Sequence, residues 1–356
     1  MRNYLSGFLA PLLFAAIVSP ALLAGCSNTT ATSVSQQVFE IAWLPDESGM
    51  LAYIDKVSIS SLDNSQIEGQ NLYHVGSDGS IGNSMNPADA PVNRSGYAPI
   101  VSVSPDGHTA IASFINGMGM PDIYRYDLSG GNVTDIIQSS YLLGVSRDMH
   151  YAATTTLAAN PDYRLIELYD LNSLQPLLPK QTITGPASNR VLWIDGTHYA
   201  ITIQDSVGSD NTPRSHVAIY NTAGDITQVI PNADVPFHAS AYASKSGDLF
   251  VRTYTDGIDK INLTTFVRTS VITDDSVNSM DVSSDGTLLV YSSDALNNNG
   301  SFPAYAVNVA NGHKANIGTS VTTPILSPRA DKVAFIHQIS GGSSQDIQVT
   351  SVSLPN

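Results

Sequence analysis

An all-β fold built from seven copies of one four-stranded unit is what this 356-residue chain predicts, on three observations. First, seven short polar turns each separate two apolar runs: Leu44-Pro45-Asp46, Ser104-Pro105-Asp106-Gly107, Ser146-Arg147-Asp148, Ile194-Asp195-Gly196, Lys245-Ser246-Gly247, Ser284-Asp285-Gly286 and Ser327-Pro328-Arg329. With Pro105 as anchor they recur at 45, 105, 147, 194, 245, 284 and 328, giving spacings of 60, 42, 47, 51, 39 and 44 residues. Second, the run after each turn carries two aligned apolar columns. One is Leu51, Ala110, Tyr151, Tyr199, Phe250, Leu289 and Val333; the other is Ala52, Ile111, Ala152, Ala200, Val251, Val290 and Ala334. Third, beyond the first 25 residues no segment longer than one turn has helical periodicity. A period of this size made of short strands covered on both faces marks a β-propeller, one blade per repeat. The predicted fold is therefore all-β, a seven-bladed β-propeller of four-stranded antiparallel blades.

The second repeat shows the whole unit. Pro99 to Ser104 reads as the inner strand, His108 to Ile115 as the second, Asp122 to Asp127 as the third and Asn132 to Gln138 as the outer one. The third-strand pattern returns at Arg164 to Asp170, His216 to Tyr220 and Ala304 to Asn308, with an echo at Asn71 to Val75. The Asp, Gly, Ser and Pro content of the turns is hairpin chemistry. The last repeat offers three strands, Thr322–Ser327, Asp331–Gln338 and Gln345–Leu354. A three-stranded blade exposes an edge, so Val34 to Phe39 is expected to supply its outer strand and close the ring.

Residues 1–25 read as a signal peptide, with Arg2 as the positive n-region and an apolar stretch broken by Pro11 and Pro20. They end in Leu23-Ala24-Gly25-Cys26, which resembles the lipobox of bacterial lipoproteins. The resemblance implies cleavage before Cys26, acylation of its thiol and amino group with palmitate-like chains, and membrane anchorage. A Ser at position 27 implies the outer membrane, with the protein facing the periplasm or the cell surface. Residues 26–36 are polar and uncharged, which suits a flexible tether, and 37–356 are read as one propeller domain. Cys26 is the only cysteine; once lipidated, it leaves no thiol for disulfides, metals or haem. No cofactor is expected other than the covalent lipid.

The formal charge is −15, or −16 once Arg2 is removed with the signal, so nucleic acid is excluded as a natural partner. Charged residues are 13% of the chain against a usual share of about 25%. Solubility then rests on Ser, Thr, Asn and Gly, as in a surface-exposed β protein. Over about residues 38–350 the turns and strands resemble the WD40-like repeats of TolB-type periplasmic propellers, in which Ser-Pro-Asp-Gly precedes the second strand. Ser146-Arg147-Asp148 and Trp193-Ile194-Asp195 depart from that pattern, and the helical N-terminal domain of that family has no counterpart. The resemblance implies the fold and carries no partner with it.

No catalytic residue and no metal ligand set is identified. Gly-X-Ser-X-Gly, Walker A, Rossmann and His-Glu-X-X-His patterns are absent. His108, His150 and His198 fall at or beside one repeat position and read as solvated strand ends. Asp205–Asn211 and Asp294–Gly300 are rich in oxygen ligands but match no calcium loop. The long connections, 55–70, 82–96, 116–121, 158–163, 204–215 and 294–301, all belong on one face, where binding is expected. Met118 and Met120 offer an adaptable apolar contact there. Arg94 and Arg214 are isolated cations for a partner's carboxylate. The leading expectation is a monomeric, lipid-anchored envelope protein acting as a protein-binding scaffold without catalysis. The alternatives are a lactonase-like or glycan-lyase-like enzyme working at the channel mouth, and a structural or adhesin-like surface protein.

Overall fold

The computed structural model describes residues 33–59, 66–85, 100–115, 121–155, 163–184, 190–205, 215–231, 233, 242–253, 257–273, 276–295, 302–339 and 344–355. Their strands form seven antiparallel sheets in chain order. Blade one is β1 (Ser33–Trp43), β2 (Gly49–Ile59), β3 (Gln66–Gly76) and β4 (Ile81–Ser84). Blade two is β5 (Val101–Val103), β6 (Thr109–Ile115), β7 (Pro121–Asp127) and β8 (Val133–Ile137). Blade three is β9 (Tyr141–Val145), β10 (Tyr151–Thr155), β11 (Tyr163–Asp170) and β12 (Gln175–Thr184). Blade four is β13 (Leu192–Trp193), β14 (His198–Gln204), β15 (Ser215–Asn221) and β16 (Ile226–Pro231). Blade five is β17 (Tyr242–Ala243), β18 (Asp248–Thr253), β19 (Gly257–Asn262) and β20 (Arg268–Thr273). Blade six is β21 (Val277–Val282), β22 (Leu288–Ser293), β23 (Pro303–Asn308) and β24 (Lys314–Thr319). Blade seven is β25 (Val321–Leu326), β26 (Lys332–Gln338) and β27 (Gln345–Ser351).

The core lies between blades. Seven apolar clusters each draw on two neighbouring blades, and together they join every neighbouring pair, including seven with one. That pattern makes the molecule a closed seven-bladed β-propeller. Successive residues of a strand point to opposite faces, so each second strand feeds both of its seams. Met50, Ala110, Ala152, Tyr199, Leu249, Leu289 and Val333 face the preceding blade. The next residues, Leu51, Ile111, Ala153, Ala200, Phe250, Val290 and Ala334, face the following one.

Three expectations need correction. The apolar columns slip by one residue in blades one, three and five, because both faces are apolar and the pattern does not mark its own parity. The connection expected over 55–70 is mostly strand: Asp55 pairs with Gln70, Lys56 with Gly69 and Ser58 with Gln66. Val34–Phe39 is not the outer strand of the last blade. It belongs to β1, where Val34 pairs with Ser58 and Val38 with Ile54, and among the described residues blade seven has three strands.

Side chains close the seam instead. Val38, Ile41, Trp43 and Met50 pack against Ala334, Ile336 and Ile347. Trp43 Nε1 donates to the Ile325 carbonyl at 3.0 Å. Gln36 Nε2 donates to the Gln345 carbonyl at 2.7 Å, and the Val38 amide to Gln345 Oε1 at 2.8 Å. Val352 N donates to the Asp331 carbonyl, which sets the ladder so that Gln345, Ile347 and Val349 turn their backbone groups to the outer edge of β27. Gly79, at φ +89°, presses the turn between β3 and β4 onto the Ile347 carbonyl so closely that a Cβ would overlap it. Blade one thus shields the edge that a fourth strand would otherwise cover.

Candidate functional site

Side chains from non-neighbouring blades meet across the central channel. Phe39 is a bulge in β1, since Val38 pairs with Ile54 and Glu40 with Tyr53. The extra residue puts Val38, Ile41 and Trp43 on one face and turns Glu40 to the other. There the buried Glu40 carboxylate forms an ion pair with Arg190, which precedes β13. One lies four residues before the Leu44 turn and the other four before the Ile194 turn, so blades one and four meet at the same depth. Nearer the turns, Arg147 of blade three donates to the Tyr242 carbonyl of blade five at 2.9 Å and lies over its ring, 5.5 Å from the centroid.

Asp281 of blade six faces the same lower level. Burial pushes its carboxyl up to about 7, against the opposing pull of the Leu326 and Val282 amides and the charge of Arg147. Oδ2 accepts from Leu326 at 2.9 Å and Oδ1 from Val282 at 2.8 Å. The channel axis is therefore occupied by the protein's own charged groups at two levels.

The tight turns repeat one hydrogen-bond design. In blade two Ser104 Oγ donates to Asp106 Oδ1 at 2.5 Å and accepts from Thr109 N at 2.9 Å, while His108 N donates to Asp106 at 3.0 Å. Ser146 with Asp148, and Ser283 with Asp285, do the same. This is the amide-capping role that turn aspartates are suited to. The fourth turn position is left-handed: Gly107 at φ 73° and Gly286 at 74°, but also Glu47 at 58°, Met149 at 58° and Ala330 at 59°.

Blades one and seven hold complementary departures from the repeat. Glu47 stands where the motif has Gly107, and Arg329 where it has Asp106. The buried Glu47 carboxylate accepts from the Arg329 amide at 2.6 Å and from its Nε at 2.8 Å, clasping the two turns across the closing seam.

Two clefts open beside these turns. One, of about 490 Å³, lies on the seam of blades one and two and includes Leu44, Asp46, Leu51, Met85, Asp106 and Leu128. The other, of about 370 Å³, lies on the next seam and includes Asp106, Arg125, Asp148, His150 and Asn172. They share Pro105 and Asp106.

Cys26, Arg94, Met118, Met120 and Arg214 lie outside the described residues, as do residues 1–25. Of the two oxygen-rich loops, Asp205 is engaged by His216 Nδ1 at 2.7 Å, and the Asp294 amide donates to the Ser276 carbonyl at 2.8 Å. Among the described residues no group of three His, Cys, Asp or Glu is placed to hold a metal, and no helix is long and apolar enough to cross a membrane. His108 and His150 are exposed at the starts of second strands, and His198 is half-buried beside Asp195. Glu40, Arg190 and the cross-channel reach of Arg147 are not identified by sequence reasoning. The only signal for Arg147 is its replacement of the motif proline.

No protein-family model matches the chain, and no curated protein matches it. Solved structures do resemble it. An oligogalacturonate lyase from Vibrio parahaemolyticus superposes with a TM-score of 0.63 at 11% identity, over 91% of this chain and 92% of that one. The β-propeller domain of the Trilobed protease from Pyrococcus furiosus, described as having an open velcro topology, gives 0.63 at 7% identity, over 89% and 95%. TolB from Acinetobacter baumannii gives 0.45 at 15% identity, over 80% and 78%. At these identities the likeness is one of fold: the chain is a seven-bladed β-propeller whose structural neighbours include lyases and proteases.

Proposed function

We propose that the protein is a lipid-anchored scaffold of the bacterial cell envelope that binds a partner protein through its surface. The observation that carries this reading is the filled axis. A channel-mouth enzyme needs groups converging on an open space, whereas Glu40–Arg190 and Arg147 spend their charges on each other and on the protein's own backbone. A rigid disc with an occupied centre offers its faces for use.

The anchor follows from the lipobox at Cys26, and it gives the disc an orientation. β1 runs from the long-connection face to the turn face, so Ser33 leaves the ring on the long-connection side. Cys26 lies seven positions earlier in the chain, a reach of at most about 25 Å. The partner proposed to be met by Met118, Met120, Arg94 and Arg214 is then a membrane-proximal envelope protein, with the outer membrane as the proposed location. The test is cross-linking and pull-down from solubilised envelopes with wild type, Cys26→Ala and Met118→Ser/Met120→Ser. Release of the Cys26 variant from membranes, and loss of one specific envelope protein by the double variant, support the reading. An unacylated residue 26 by intact mass defeats the anchor. Turnover of a lactone or glycan without any cross-linked partner defeats the scaffold.

A further inference from the structure

The cleft on the seam of blades one and two combines an apolar floor with a charged rim. Leu51 is fully buried and Leu44 nearly so, with Met85 and Leu128 partly buried around them. The rim is Asp46 on one turn and Asp106 on the next. Each carboxylate commits Oδ1 to its own turn: Asp46 accepts from Ser48 N at 3.0 Å and Ser48 Oγ at 2.7 Å, and Asp106 accepts from Ser104 Oγ and His108 N. Hydrogen bonds from Ser48 hold the Asp46 carboxyl below the usual carboxylate range, and the Ser104 hydroxyl does so for Asp106. Both are therefore charged at neutral pH.

We propose that this cleft docks a single arginine or lysine side chain of a partner protein, its aliphatic stem on the leucine and methionine floor and its cation between Asp46 and Asp106. Charge complementarity selects this occupant. The chain carries 31 acids against 16 bases; an anionic side chain would be repelled by both carboxylates, and an apolar one would bring no charge to meet them. Long cationic side chains bury their methylenes on apolar surface while the head stays polar, and guanidinium suits carboxylate rims in particular. The adjoining cleft cannot repeat the arrangement, because Arg125 projects there and donates to the Leu171 carbonyl at 2.5 Å. The site lies on the turn face and is independent of the long-connection face and of the anchor.

Saturation-transfer difference NMR with Nα-acetyl-arginine amide tests it, with the neutral isostere Nα-acetyl-citrulline amide as comparison. His74 and His108 also line the cleft, so both ligands are measured in the same buffer at pH 8. Arginine amide is expected to take up saturation most strongly at its side-chain methylenes, and citrulline at least tenfold less. Asp46→Asn/Asp106→Asn, which keeps an acceptor oxygen in each turn, should lower the arginine signal at least tenfold, and Asp285→Asn, the same turn carboxylate in blade six, should leave it unchanged. Ser48→Arg, which supplies a tethered occupant and removes only the Ser48 Oγ bond to Asp46, should abolish it while both carboxylates remain in place. Equal signals from arginine and citrulline, an equal loss in Asp285→Asn, or full binding to Ser48→Arg overturns the proposal.

Discussion

Replacing each tryptophan by phenylalanine separates an interblade hydrogen bond from the packing around it. Trp43 and Trp193 each end the inner strand of a blade, and both are buried, at 7% and 4% exposure. Trp43 donates Nε1–H across the closing seam to Ile325. Trp193 Nε1 is buried with no hydrogen-bond partner among the described residues. Either substitution removes roughly 40 Å² of buried surface, worth about 1 kcal/mol. Trp43→Phe also loses the bond and strands a carbonyl, for a further loss of about 1–2 kcal/mol. Trp193→Phe removes an unpaired donor and regains about 1 kcal/mol. The expected totals are about 2–3 kcal/mol destabilised for Trp43→Phe and about zero for Trp193→Phe. Urea unfolding followed by far-UV circular dichroism measures the difference. The chain has two tryptophans, so the residue left in each variant reports fluorescence from its own seam. Equal losses, or a larger one for Trp193→Phe, would refute the reasoning.

Glu47→Ala should cost about 2 kcal/mol through loss of the charge-assisted bond to the Arg329 amide, and in the Trp193→Phe background Trp43 emission should report the seam opening in urea before far-UV signal is lost. Asp281 makes stability fall as pH rises from about 4 to about 7: its folded pKa, raised to about 7, means that the native state holds a proton the unfolded state has released. Asp281→Asn should flatten that slope in urea midpoints taken from pH 4 to 8, and an unchanged slope would assign it elsewhere. Gly79→Ala should cost about 2 kcal/mol from its left-handed φ alone, lift the turn from Ile347, and produce concentration-dependent oligomers on size exclusion; a monomer at every concentration would show that the β27 edge is shielded by other means.

The architecture is legible in the turns because backbone demands are local. Asp106, Asp148 and Asp285 sit where their side chains cap the next strand, and the spacing of such turns counts blades. The second-repeat strands, expected at 99–104, 108–115, 122–127 and 132–138, fall within two residues of β5 to β8. Parity is not local in the same way: Leu51 and Met50 are both apolar, and only the neighbouring blade tells them apart. Closure is misread because the sequence of Val34–Phe39 suits either sheet edge, and pairing with β2 involves a partner far nearer along the chain than β27, a smaller loop-closure cost. The cross-channel pairs leave no periodic trace, since Glu40 and Arg190 lie 150 residues apart and come together only when the ring bends.

A ring closed by docked faces rather than by a shared strand has a consequence for how such a chain changes over generations. Every blade here is one unbroken stretch of sequence, so a gene segment for a whole repeat can be copied or lost without parting a strand from its sheet. In a ring stitched by a borrowed strand, the first and last repeats are fixed as a pair. Here they are held by a few replaceable side chains, of which Glu47 and Arg329 are the most specific. At these two positions matched departures from the turn motif tie the first described blade to the last.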